Sequence, residues 1–246
     1  MDDYRKTADI IRKSKNMIAL TGAGISVESG IPDFRSAGGL WDRYDPAVYA
    51  SIDSFRKNPE KVWNMIFEMI EITSRAKPNK AHYALAELEK LKLLKAIITQ
   101  NIDNLHQEAG SSNVIDYHGN TKNLVCMSCH SEYDVSDFSL AEKKIPCCGS
   151  CGRILKPSVI FFGENIPQQA MYSSQRYAEN ADVVLVIGTS AIVYPAAGIP
   201  RTAKINGAII IEFNLERTEL TSGLTDIFIQ GSAGRTLPEL LKYISQ

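Results

Sequence analysis

Two sets of residues in this chain have types and spacings suited to chemistry. The first is a metal set. Cys126-x-x-Cys129 is followed by Cys148-x-x-Cys151, and all five cysteines of the chain lie between residues 126 and 151. Each Cys-x-x-Cys turn can put two thiolates on one ion, and two such turns complete the closed tetrahedral sulfur set of a structural zinc site. Cys147 could ligate in place of Cys148, but the two-residue spacing to Cys151 favours Cys148. His130 follows a ligand, yet four sulfurs suffice. An odd, clustered set of cysteines makes a poor disulfide framework. Residues 130–146 carry both signs of charge and no basic stripe. The segment therefore reads as a module too small to bury a core of its own and held by metal instead.

The second set is glycine and small polar side chains. TGAGISVESGIPDFR, residues 21–35, opens as a Gly-x-Gly dinucleotide turn after an apolar run, but Val27 stands where the third glycine of G-x-G-x-x-G would be. Gln100-Asn101-Ile102-Asp103-Asn104-Leu105-His106 and His118-Gly119 are the other unusual polar clusters. Histidine moves protons near neutral pH. His118 follows a short strand at 114–117 and is placed to face a crevice. His82 and His106 lie inside helical patterns and read as structural.

These residues need elements to hold them. Residues 17–20, 95–99, 183–187 and 208–211 are continuous apolar runs, the signature of strands buried on both faces, and 226–229 is a weaker fifth. Helical patterns fall at 3–13, after the Asn58-Pro59 cap, after Asn79, near 167–180 and near 235–244. Strands alternating with helices predict an α/β fold, a parallel sheet covered on both faces. Four strands are followed by Gly22-Ala23-Gly24, Gln100 to Asp103, Gly188-Thr189-Ser190 and Asn214-Leu215-Glu216. Turns favour such residues singly. Four together on one edge predict a nucleotide crevice at the carboxyl ends of the strands. Residues 38–78 and 123–156 do not fit the sheet and read as insertions. With 44% hydrophobic and 22% charged residues, the composition is that of an ordinary globular protein, and a net charge of −1 argues against a broad nucleic-acid footprint. No run reaches the ~18 apolar residues of a membrane span, and the charged start lacks the apolar core of a signal peptide. A cytoplasmic monomer is the expectation.

GAGIS…SGIPDFR, TQNIDNLH, the His118-Gly119 pair, the two Cys-x-x-Cys pairs, KPSVIFFGE, GTS and Asn214-Leu215-Glu216 occur in the order of the landmarks of the sirtuin family. They span residues 22–216, and the chain resembles a small sirtuin of bacterial or archaeal type. The resemblance implies NAD-dependent removal of acyl groups from protein lysines, with NAD as co-substrate and zinc as a structural ion. It implies a Rossmann-like domain of residues 1–37, 79–122 and 157–246. A helical module, 38–78, and a zinc module, 123–156, would form the small domain.

By the same resemblance the altered glycine turn suits a dinucleotide that must bend. Gly22, Ala23 and Gly24 would lie against the pyrophosphate, with Ile25 among the cofactor contacts, Phe34 beside the nicotinamide pocket and Arg35 near phosphate. Asp103 and the Ile102 backbone would hold the nicotinamide carboxamide, while Asn101 orders the ribose and Gln100 belongs to the same set. Gly188, Thr189, Ser190, Asn214 and Glu216 would take phosphate and the adenosine half. His118 would be the general base toward a ribose hydroxyl, help worth roughly 10²–10⁴-fold. The acyl-lysine peptide would add as a strand near Gly163, Glu164, Asn165, Val193 and Tyr194, with Ile160 and Phe162 lining the lysine tunnel.

Family members that prefer succinyl or malonyl groups carry a Tyr-x-x-Arg pair in the helical insert, where this chain has Ile66 and Met69. Burying an unpaired carboxylate is costly, so deacetylation is expected over desuccinylation. That conclusion stands even if both residues only fill the core of their helix. The alternatives are mono-ADP-ribosyl transfer and long-chain deacylation as the main activity. A non-enzymatic NAD-sensing module would need no base at 118.

Overall fold

The computed structural model describes residues 2–34 and 39–245. The chain runs α1 (Asp2–Lys13), β1 (Met17–Thr21), α2 (Leu40–Arg43), α3 (Pro46–Tyr49), α4 (Ile52–Lys57), α5 (Pro59–Arg75), α6 (Lys80–Lys90), β2 (Leu94–Thr99), α7 (Leu105–Glu108) and β3 (Val114–Asp116). It continues through β4 (Asn123–Val125), β5 (Glu132–Asp134), β6 (Lys156–Pro157), α8 (Gln168–Asn180), β7 (Val183–Ile187), α9 (Gly198–Ile205), β8 (Ile209–Asn214), α10 (Glu219–Gly223), β9 (Ile227–Gln230) and α11 (Ala233–Ile244). Asn58 and Asn79 cap α5 and α6 through their side chains, as their positions before the apolar repeats predict.

Six strands form one parallel sheet in the order β3-β2-β1-β7-β8-β9. The continuous apolar runs are explained by cover on both faces. Met17 and Ala19 of β1 enter the core with residues of α1, α6 and α11, while Ile18 and Leu20 enter the opposite core with residues of α8 and α9. The chain leaves β1 toward β2 and later returns beside β1 as β7. That reversal of strand order between β1 and β7 is where a crevice at the carboxyl edge is expected.

The loops at this junction are packed backbone to backbone. Gly24 N–H donates to Gly188 O (2.8 Å). A Cβ on Gly24 would lie 2.8 Å from Gly188 Cα, and one on Gly188 would lie 2.5 Å from Ile25 N. Both glycines are therefore demanded first by the meeting of β1 and β7. Gly188 also has φ 57. Gly188→Ala is expected to cost about 3 kcal/mol through strain and overpacking, read as a lowered urea midpoint at unchanged m-value.

The inserted segments build a second body. β5-β4-β6 form a small antiparallel sheet. Leu124, Cys126, Cys148 and Leu155 share one core with Ile52, Phe55, Val62, Trp63, Ile66 and Phe67 of α4 and α5. Trp63 Nε1–H donates to Leu155 O (2.9 Å) and fastens helix to sheet. Among the described residues, no helix is long and apolar enough to cross a membrane.

Candidate active site and metal centre

The four predicted metal ligands converge. One Sγ from each of Cys126, Cys129, Cys148 and Cys151 falls in a group whose members all lie within 4.8 Å of one another. The 3.5 Å separations of Cys126 from Cys151 and of Cys129 from Cys148 are far beyond a disulfide bond of ~2.05 Å. They match a tetrahedron of ~2.3 Å zinc–sulfur bonds, so the donor set fits zinc. Two similar turns present the pairs. Cys126 O accepts from His130 N–H (2.9 Å) and Cys126 N–H donates to Ser131 O (2.9 Å). Cys148 O accepts from Gly152 N–H (2.8 Å), and Cys148 N–H donates to Arg153 O (2.7 Å). His130 (φ 60) and Gly152 (φ 73) occupy equivalent left-handed positions, so His130 is the turn residue of its knuckle. The Tyr133 hydroxyl donates to Cys148 Sγ (3.2 Å) and draws that thiol down to about 5, toward the thiolate that binds metal. Cys147, exposed, stands outside the cluster, which decides between Cys147 and Cys148.

A cavity of about 660 Å³ lies between the sheet edge and the second body, within the range of ligand sites. All four predicted strand ends reach it. Gly22, Ala23 and Gly24 line it, as do Gln100, Asn101 and Ile102. Gly188, Thr189, Ser190, Asn214 and Glu216 line it too. Side chains brace these ends to one another: Gln100 Nε2 donates to Thr189 Oγ1 (2.9 Å), and Asn214 Nδ2 donates to Thr189 O (3.1 Å). The loop after β8 is held from beneath. Fully buried Glu212 accepts from the hydroxyls of Thr218 (2.6 Å), Thr221 (2.7 Å) and Thr225 (2.8 Å). A row of amide and hydroxyl groups along a cavity of this size suits a dinucleotide, and the residues present fit NAD.

His118 follows β3 and lines the same cavity. Its Nδ1 lies 3.2 Å from Gln100 O. A carbonyl only accepts, so Nδ1 carries the proton and Nε2 is the ring's acceptor, with no partner among the described residues. Burial holds the ring below the ordinary histidine pKa of 6.5, with the Gln100 bond opposing. It is neutral and basic at pH 7.

Asn101 is buried, and its Nδ2 donates to Gly22 O (3.2 Å) and Ser26 Oγ (3.1 Å). Asp103 lies behind the cavity wall. Its Oδ2 accepts from Ser26 Oγ (2.7 Å) and its Oδ1 from Leu105 N–H (3.0 Å). Burial raises its carboxyl above the usual carboxylate value, against both of those bonds.

An apolar channel continues from the polar edge into the second body. Ile66 and Met69 line it with Met65 and Ile70 of the same helix, and Leu40 and Trp41 follow. The expected substrate residues Ile160, Phe162, Gly163, Glu164, Val193 and Tyr194 line the same cavity. Phe34, on the rim, packs on Trp41 (ring centroids 5.0 Å).

Some residues stand elsewhere than expected. Ile25 is fully buried in the core beneath the sheet rather than against the cavity, because the turn directs its side chain inward to anchor β1. Asn165 is exposed and does not line the cavity. Glu164 lines it, but its Oε2 accepts from Lys156 Nζ (3.0 Å) and Phe161 N–H (2.8 Å), so the carboxylate braces its own loop. Arg35 lies outside the described residues. Sequence reasoning missed Ser26, which ties Asn101 to Asp103, although it stood in the quoted glycine stretch. It also missed Met65 and Ile70, which the helical spacing of Ile66 and Met69 could have supplied.

Comparison with known proteins agrees with this geometry. The profile of the Sir2 family matches residues 22–195. NAD-dependent protein deacylase 2 of Archaeoglobus fulgidus is 45% identical over 100% of this chain and 97% of its own length. A Sir2 homologue solved as an NAD complex superposes with a TM-score of 0.92 at 44% identity, covering 98% of this chain and 93% of that one. Sir2Af2 bound to a myristoylated histone peptide gives a TM-score of 0.85 at 39% identity, over 99% and 97%. Matched along its whole length in sequence and in fold, the chain belongs to the Sir2 family, the sirtuins.

Proposed function

We propose that the protein is an NAD-dependent protein-lysine deacetylase. The observation that carries this reading is convergence in one cavity: a neutral histidine with a free Nε2, a row of polar strand ends, and an apolar channel. Residues 38–78 and 123–156 are its small domain, and Cys126, Cys129, Cys148 and Cys151 hold structural zinc.

NAD, when bound, supplies an anomeric carbon that takes the acyl oxygen as nicotinamide departs. Gly22, Ala23 and Gly24 bring backbone close to the pyrophosphate. Thr189, Ser190, Asn214 and Glu216 hold the adenosine half, and Phe34 closes over the nicotinamide side. Asn101, fixed by Gly22 O and Ser26 Oγ, orients the ribose. Asp103 acts with the Ile102 backbone on the carboxamide. His118 Nε2 takes the proton of a ribose hydroxyl. The peptide adds as a strand between residues 163–165 and 193–194, and Ile160 and Phe162 flank the lysine stem.

Among the described residues that line the cavity, the only cation is Arg217, beside Asn214 and Glu216 and far along the chain from Ile66 and Met69. Its guanidinium lies over the Phe228 ring (4.9 Å). A succinyl carboxylate in the channel would be unpaired, at a cost of about 3 kcal/mol or more. Matched peptides followed by mass spectrometry test this. Acetyl-lysine is expected to be cleaved only with NAD, with kcat/KM roughly 100-fold above succinyl-lysine. Succinyl turnover equal to acetyl would sink the reading of Ile66 and Met69. A second reading, long-chain deacylation, draws on the apolar side chains Leu40, Trp41, Met65, Ile66, Met69 and Ile70 that line the cavity. A myristoyl peptide cleaved faster than the acetyl peptide would favour it. ADP-ribose transferred to protein, with no peptide cleaved, would favour the transferase.

A further inference from the structure

His82 Nε2 and His106 Nδ1 are buried nitrogens with no hydrogen-bond partner, a rare condition in a native interior. Their rings lie 4.9 Å apart, centroid to centroid. A ring nitrogen sits about 1.1 Å from its centroid, so an N–H···N bond of ~2.9 Å between two imidazoles spaces the centroids about 5 Å apart. The observed ring spacing is the one that such a bond between the two unpartnered atoms requires.

The protons can be assigned. The backbone N–H of Asn79, at the cap of α6, donates to His82 Nδ1 (3.2 Å). Burial alone pushes His82 down to about 4 and holds His106 well below the ordinary range, with the His82 charge as a lesser cause for the latter. Both are neutral at pH 7, so His82 carries its proton on Nε2. A proton on His106 Nδ1 would set two buried donors against each other, at about 1–3 kcal/mol for each unsatisfied group. His106 must then carry its proton on Nε2, which lies 2.9 Å from Thr21 Oγ1. Thr21 Oγ1 in turn donates to Thr99 Oγ1 (2.9 Å), its register partner on β2. Thr99 Oγ1 also accepts the N–H of Asn101 (3.1 Å).

That N–H belongs to the Gln100–Asn101 peptide, whose carbonyl holds His118 Nδ1. We infer that His82, His106, Thr21 and Thr99 are positioning residues. They form a hydrogen-bond chain that donates stepwise from the cap of α6 to Thr99 Oγ1, where it meets the N–H of the peptide plane that orients His118. The inference rests on the proposed deacylase reading only in naming what the chain serves. One planar amide donates its N–H to the end of the chain and accepts the catalytic ring on its C=O, so a tilt of that plane displaces His118.

Long-range ¹H–¹⁵N spectra of the histidine rings test the chain without reference to activity. His82 and His106 are expected as Nε2–H tautomers and His118 as Nδ1–H. A His106 protonated at Nδ1 overturns the proposal. For function, Thr21→Val keeps the shape and removes the hydroxyl, while Thr21→Ser restores the hydroxyl. Thr21→Val is expected to lower kcat about tenfold, the scale of one orienting hydrogen bond, with KM for NAD within twofold, and Thr21→Ser to retain kcat. Equal losses in both variants, or none in Thr21→Val, overturn the positioning role. If Thr21→Val does not fold, the wild-type spectrum decides alone. Wild-type protein with no NAD-dependent turnover sinks the deacylase reading and leaves the spectrum to judge the chain.

Discussion

His118→Ala is expected to lower kcat for deacetylation by at least about 10²-fold, the usual scale for loss of a general base. The Nδ1–H bond to Gln100 O fixes the tautomer and leaves Nε2 as acceptor. Alanine removes that acceptor and leaves the polar strand ends intact, so NAD should still bind. Titration by calorimetry should return a Kd within a fewfold of wild type while turnover is lost. The pH profile carries the same signature. Because burial depresses the His118 pKa below 6.5, the base is unprotonated throughout the neutral range. The rate should fall only as pH drops through that depressed value, so the acid limb of kcat/KM lies below 6.5. An acid limb at or above 6.5, or a His118→Ala enzyme within twofold of wild type, would remove His118 from the role.

Cys148→Ser is expected to release the metal and dissolve the second body. Cys126 and Cys148 are members of its core together with Leu124, Leu155 and Trp63, and structural zinc in small modules contributes on the order of 10 kcal/mol or more. No comparable store of buried area exists in a sheet of strands two or three residues long. Zinc content by elemental analysis should fall below one equivalent. In a Trp41→Phe background, Trp63 emission should shift to the red as its bond to Leu155 O is lost. Turnover should vanish with it, because Met65 and Ile66 of the same helix line the acyl channel. Cys147→Ser is the control, expected to keep both metal and activity. A Cys148→Ser protein that retains zinc and an unshifted Trp63 would refute the ligand set.

Much of this was legible beforehand. The central strands read as apolar runs because cover on both faces removes alternation, and the cysteine spacing named its own chemistry. What stayed hidden was pairwise. That Thr21 and Thr99 touch follows from β1 and β2 being neighbours, which no window of sequence records. The contact of His82 with His106 was equally invisible, though each read as structural and both are buried. α9 escaped because Gly198 and Pro200 suggest a loop, whereas proline is tolerated in a first turn. Ile25 was placed against the cofactor because motif membership does not reveal which way a side chain points. Lys156 stood in the KPSVIFFGE stretch without a role because a buried lysine is unexpected. Here burial lowers its pKa, and the carboxylate of Glu164 offsets part of that.

The strand order governs how the chain reaches this state. β1 lies between β2 and β7, yet residues 183–187, which must pair with residues 17–21, come late in the sequence. During synthesis Met17-Ile18-Ala19-Leu20 therefore waits with one edge and an apolar face unpaired until most of the chain has emerged. Closing such a loop is entropically slow, and an exposed apolar strand in the interval is a template for association. The pairing of β1 with β7 is thus expected to come late in folding, and shielding β1 until then to improve the yield.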